Sequence, residues 1–166
     1  MKKSLVIFAV AVLSLVLVQS SFAQGTATQT VNLAVNTVYK ISASGNPGAL
    51  TVTTGTAGTD ALTEVSDAST TYSITQNYGN TVKITAYLDA ALSAGYTLKL
   101  NLASSKGTSA GDVDISNATS GSAVDIVTAI GMGADANQTV TYKFGANASA
   151  GTLSSTSKTV TLTLTN

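Results

Sequence analysis

Lys158-Thr-Val-Thr-Leu-Thr-Leu-Thr165 alternates without an error: Val160, Leu162 and Leu164 fall on even numbers, Thr159, Thr161, Thr163 and Thr165 on odd ones. Successive side chains of an extended chain point to opposite faces, so this period of two describes a β-strand with one oily side, and β-branched threonine suits the wet side. A strand of this kind has to lay its apolar face on a second layer, which predicts a two-sheet, all-β domain.

Working back from that strand, the same signature recurs. Gln138-Thr-Val-Thr-Tyr-Lys-Phe-Gly145 places Val140, Tyr142 and Phe144 on one face, and Tyr96-Thr-Leu-Lys-Leu-Asn-Leu102 does so with Leu98, Leu100 and Leu102. Residues 71–76 and 81–88 flank Asn77-Tyr-Gly-Asn80, whose Gly and Asn tolerate positive φ, and together they read as a hairpin. Val31, Leu33, Val35, Tyr39, Ile41 and Ala43 share odd numbering, as one long strand or two broken near Asn36-Thr37. Gly45-Asn-Pro-Gly48 holds the single proline and reads as a turn before a short strand at Leu50-Thr-Val-Thr53. Residues 54–69, 103–111, 117–122 and 131–137 read as loops or turns, and residues 112–116 as a brief edge strand bearing acids. Residues 123–130 fit either a strand, through Val124, Ile126 and Ile130, or helical turns, through Ile126, Val127 and Ile130. The expected architecture is an antiparallel β-sandwich of about eight or nine strands, immunoglobulin-like or jelly-roll-like, over residues 31–166. Its expected core holds Val82, Ile84, Leu98, Leu100, Val140, Tyr142, Val160, Leu162 and Leu164.

The start of the chain carries an address. Lys2 and Lys3 precede an apolar run from Leu5 to Val18 interrupted only by Ser14, and Ser21-Phe-Ala23 gives small residues at a cleavage spacing. The run is shorter than the roughly 20 residues of a membrane-spanning helix, so residues 1–23 read as a bacterial-type signal peptide, residues 24–30 as a flexible leader, and the mature chain as free of a transmembrane segment. The expected location is secreted: extracellular, cell surface or periplasm.

From residue 24 on, six lysines face eight acids, a formal charge of −2. A basic patch for nucleic acid or an anionic membrane surface is not expected from that balance. The chain has no His, Cys, Arg or Trp. That leaves no Ser-His or Cys-His nucleophile, no zinc cluster and no guanidinium for a phosphate, so no catalytic residue and no cofactor is expected. Two carboxylates could in principle hydrolyse a glycoside, but Glu64 is the sole glutamate and the acids fall mostly in loops. Asp112 and Asp114 share a strand face and are calcium candidates, with Asp60 and Asp67 bracketing a loop; the alternative is solvated acids that discourage edge pairing. Asn117, Asn137 and Asn147 match the glycosylation pattern, as chance allows in a chain rich in Asn, Ser and Thr. Tyr39, Tyr72, Tyr87, Tyr96 and Tyr142 sit at strand positions and read as packing, whereas Tyr78, in the hairpin turn, is the candidate for an exposed contact.

Tyr72-Ser-Ile-Thr, Val82-Lys-Ile-Thr-Ala, Leu98-Lys-Leu-Asn-Leu-Ala103, Asp125-Ile-Val-Thr and Thr159-Val-Thr-Leu-Thr-Leu resemble a group of uncharacterised secreted bacterial β-sandwich proteins over residues 70–166. More distantly, the ending of Ala-Gly, a spacer and Thr-Val-Thr-Leu-Thr is similar to that of fimbrial and spore-coat-U-type subunits, although this chain lacks the cysteines many fimbrial subunits carry. Low charge, a threonine-coated sheet and the absence of catalytic side chains favour a secreted structural or surface protein, fimbria-like or a matrix subunit, with a binding module for carbohydrate or another surface as the alternative. The alternation of Val31, Leu33 and Val35 behind an uncharged leader allows two readings of residues 28–35: a strand donated to a neighbouring subunit's sheet edge in a homo-polymer, or the first strand of the chain's own sandwich.

Overall fold

The structure, a computed structural model, describes residues 25–166. The signal-peptide reading of residues 1–23 lies outside them. The chain divides into two units, Met1–Val35 and Asn36–Asn166. In the first, residues 25–35 form no strand, and Val31, Leu33 and Val35 are 71%, 89% and 87% exposed.

The second unit is a β-sandwich of nine strands: β1 (Tyr39–Ala43), β2 (Val65–Gln76), β3 (Val82–Leu88), β4 (Tyr96–Leu102), β5 (Thr108–Ser109), β6 (Val113–Asp114), β7 (Val124–Ile130), β8 (Gly133–Ala146) and β9 (Val160–Thr165). One sheet has five strands in the order β1-β2-β8-β4-β6 and the other four in the order β5-β7-β3-β9. Every pairing is antiparallel.

Between the sheets the apolar alternation is spent as expected. β3 is central in its sheet and buries every second residue, Val82, Ile84, Ala86 and Leu88. Leu98, Leu100 and Leu102 of β4 face them from the other layer with Tyr72, Ile74 and Val140. Ile115, Ala118, Ile126, Val127 and Ile130 complete the core. Tyr142, Val160, Leu162 and Leu164 pack against it half-buried.

Several expectations change. Residues 31–38 are not strand, so the long first strand shrinks to β1. Residues 50–53 form no strand either; after them come only isolated bridges, Gly55 with Leu62 and Ala61 with Asn147. The loop expected at residues 54–69 ends early, because β2 begins at Val65 and pairs with β8 as far as Phe144. The hairpin of residues 71–88 is a turn but not a pairing: β2 lies between β1 and β8, β3 lies between β7 and β9, and the turn crosses from one sheet to the other. The glycine-rich turn at 131–137 is shorter, since β8 starts at Gly133. Residues 124–130 are strand, settling the ambiguity there.

Candidate functional site

A sandwich ends in four edge strands, and here they are unequal. β5 and β6, at one side, are two residues long each. Strands that short offer little to a foreign chain. At the other side lie β1, with Lys40 as its second residue, and β9, Val-Thr-Leu-Thr-Leu-Thr, with no charge, no proline and no bulge in its register with β3 from Leu88↔Val160 to Lys83↔Thr165. β9 uses one of its two hydrogen-bonding edges on β3 and has no partner strand on the other among the described residues.

The apolar residues along this side are among those that the core covers incompletely. Tyr39 and Ile41 of β1 approach β9 across the sandwich, and all of them, with Val160, Leu162 and Leu164, stay half-buried. Tyr78 leans on Tyr39 with ring centroids 5.6 Å apart and a 51° tilt. Hydrogen bonds with Asn80 and Asn166 hold the Tyr78 hydroxyl below its ordinary pKa. Tyr78 is therefore built into the margin of the core, not presented as a free contact.

At the foot of the same side, Asn77 forms a clamp. Its Oδ1 accepts from the Val38 amide at 2.6 Å, its Nδ2 donates to the Asn36 carbonyl at 2.9 Å, and its own amide donates to the Val38 carbonyl at 3.2 Å. Three bonds from one residue fix the backbone where the chain enters β1. The Asn of the turn motif was legible in the sequence, but its role as a clamp was not.

The acids are engaged separately. Asp112 pairs with Lys143 at 2.5 Å and accepts from Asn101 at 3.2 Å, which holds its carboxyl below the usual range. Asp114 Oδ1 accepts from the Ser116 amide and hydroxyl at 2.8 and 2.5 Å. Asp60 accepts from Ser149 and Asp67 from Ser69. Among the described residues no group of three or more His, Cys, Asp or Glu could hold a metal ion.

One carboxylate was missed. Asp135 is 2% exposed and accepts from Ser104 Oγ (2.9 Å), Ser105 N (2.8 Å), Ser105 Oγ (2.8 Å) and Lys106 N (3.3 Å). Burial pushes the carboxyl up, but the bonds from Ser105, Ser104 and Lys106 outweigh it, and its pKa lies below the ordinary aspartate value. It is a tie between β8 and the loop after β4.

A shallow cleft of about 390 Å³ lies on the outer side of the five-stranded sheet, lined by Leu62, Glu64, Thr97, Lys99, Gly145 and Asn147 among others. Glu64 and Lys99 are paired across it at 2.8 Å, which raises the lysine's pKa.

No family model matches the chain, and no curated protein or solved structure matches it.

Proposed function

We propose that the chain is a secreted structural or surface subunit, fimbria-like or part of an extracellular matrix, that performs no catalysis and assembles with copies of itself by strand addition. The observation that carries this reading is the uncharged free edge of β9, with Val160, Leu162 and Leu164 half-covered beside it. A long, flat, uncharged edge is a template for another chain, and folded monomers normally blunt such edges with charge, proline or a bulge. The basic, apolar and small-residue sequence at residues 2–23 supports export, and the lack of His, Cys and Arg supports a non-catalytic role. No helix among the described residues is long and apolar enough to cross a membrane.

The cleft with the Glu64–Lys99 pair and Asn147 favours a second reading, an extracellular binding module for carbohydrate or another surface. Sedimentation of the purified protein from micromolar to millimolar concentration, alongside its retention on immobilised polysaccharide, separates them. The subunit reading expects sedimentable polymer and no retention. Retention of a protein that stays monomeric would replace it with the second reading.

A further inference from the structure

Resting on the subunit reading, we propose that the free edge of β9 accepts residues 31–35 of a second copy of this chain, which join the four-stranded sheet as its fifth strand. The choice of acceptor follows from the edges themselves. β5 and β6 are two residues long and cannot hold a five-residue segment. β1 is five residues long and carries a charge, Lys40, as its second residue. β9 alone of the four edge strands is both long enough and uncharged.

The choice of occupant follows from what the chain leaves uncovered. Among the described residues Val31, Leu33 and Val35 are the most exposed large apolar side chains, and they stand two residues apart, as Val160, Leu162 and Leu164 do. In an extended chain both triplets span about 13 Å on one face. A donated segment in register with β9 turns its three apolar side chains toward the sandwich, against the incompletely covered Tyr39, Ile41 and Leu162. It turns Asn32 and Ala34 outward, beside the threonines of β9. Main-chain bonds to the free edge give the affinity and the half-filled apolar positions give the register. Neither segment nor edge carries a charge, so no ion pair is stranded when they meet. The Asn77 clamp fixes the backbone at Asn36 and Val38, so the donor is rooted in its own domain immediately after the donated residues.

Cross-linking in the full chain tests this. The protein has no cysteine, so introduced thiols are the only ones. Ala34→Cys is combined in turn with Thr161→Cys, Thr163→Cys or Thr165→Cys, all outward positions, so that the register need not be assumed. Oxidation at polymer-forming concentration is expected to give a ladder of disulfide-linked multimers in at least one pair, while each single variant stops at a dimer. Leu33→Asp, which would place an unpaired carboxylate in the apolar seam, is expected to raise the concentration needed for polymer at least about tenfold and to leave the urea midpoint of the domain unchanged. Monomers linked internally would overturn the proposal by showing the segment to be a strand of its own domain. Polymer that forms no cross-link in any pair and ignores Leu33→Asp would overturn it while the subunit reading stands. A protein that stays monomeric throughout would remove both.

Discussion

Asp135 shows how much of a loop one residue can organise. Four hydrogen bonds from residues 104–106 converge on its carboxylate, and Ser104 Oγ accepts in turn from the Lys106 and Gly107 amides at 3.2 and 3.0 Å. On the far side of that loop, Gly107 presses against β7: a Cβ there would lie 2.6 Å from Ile130 Cγ1 and 2.7 Å from the Thr128 carbonyl oxygen. Asp135→Asn, which turns donor against donor, is expected to lower unfolding free energy by about 1–3 kcal/mol at neutral pH in urea titrations. Because the folded pKa lies below the unfolded one, the native contribution is full above the unfolded aspartate value of about 4 and fades as pH falls through the folded value, so the gap between native and variant should narrow in acid. A gap that persists in acid would contradict the hydrogen-bonded carboxylate. Gly107→Ala should destabilise by about 1–3 kcal/mol through overpacking, measured the same way. Asp112 and Asp114 are held by Lys143 and Ser116, so neither calcium nor a chelator should move the melting temperature; a calcium-dependent rise would mean that these pairs open to form a site.

At the scale of the strand, position within the sheet matters more than side-chain type. Leu100 of β4 is fully buried, while Leu162, in an equally regular alternation, lies half-buried on an edge. Leu100→Ala is expected to cost about 2–5 kcal/mol and Leu162→Ala clearly less, although Leu162 should matter more to assembly; equal losses in thermal or urea unfolding would contradict the edge placement of β9. The apolar alternation of β3, β4, β8 and β9 made these strands legible in the sequence, because period two reports an amphipathic face directly. It does not report the partner. Residues 71–88 contain a good turn between two good strands, yet the strands belong to different sheets. Bulges hid the rest. Opposite β3, the register slips between Val82↔Ile130 and Ile84↔Val127 and again before Thr85↔Asp125, with Ala129 at φ 54°. Those slips turn Ile126, Val127 and Ile130 all inward, a spacing that imitates a helical turn. A slip from Tyr72↔Gln138 to Ile74↔Asp135, with Asn137 at φ 54°, likewise turns Asp135 into the core from what read as a glycine-rich loop. The first residues of β2, Val-Ser-Asp-Ala-Ser, carry no alternation at all, and their strand is imposed by β8.

For the whole molecule, the sandwich closes one side with two minimal strands and leaves the other open along β9, while the chain supplies an exposed apolar triplet of matching period. Both alternations are legible in the sequence, where an internal strand and a donated one look alike because each needs the same period of two. Assembly through this edge joins uncharged surfaces, so the concentration at which polymer appears should change little between low and moderate salt; steep salt dependence in light scattering would point to the lysine and acid pairs on the outer faces instead. The central claim, that residues 31–35 find their partner strand in another copy, is read most directly by amide hydrogen exchange across a concentration series. The account predicts that residues 31–35 exchange freely in dilute protein, and that their protection rises together with that of residues 160–165 as the protein is concentrated. Protection of residues 31–35 already complete in the dilute monomer, or absent at every concentration, would contradict it.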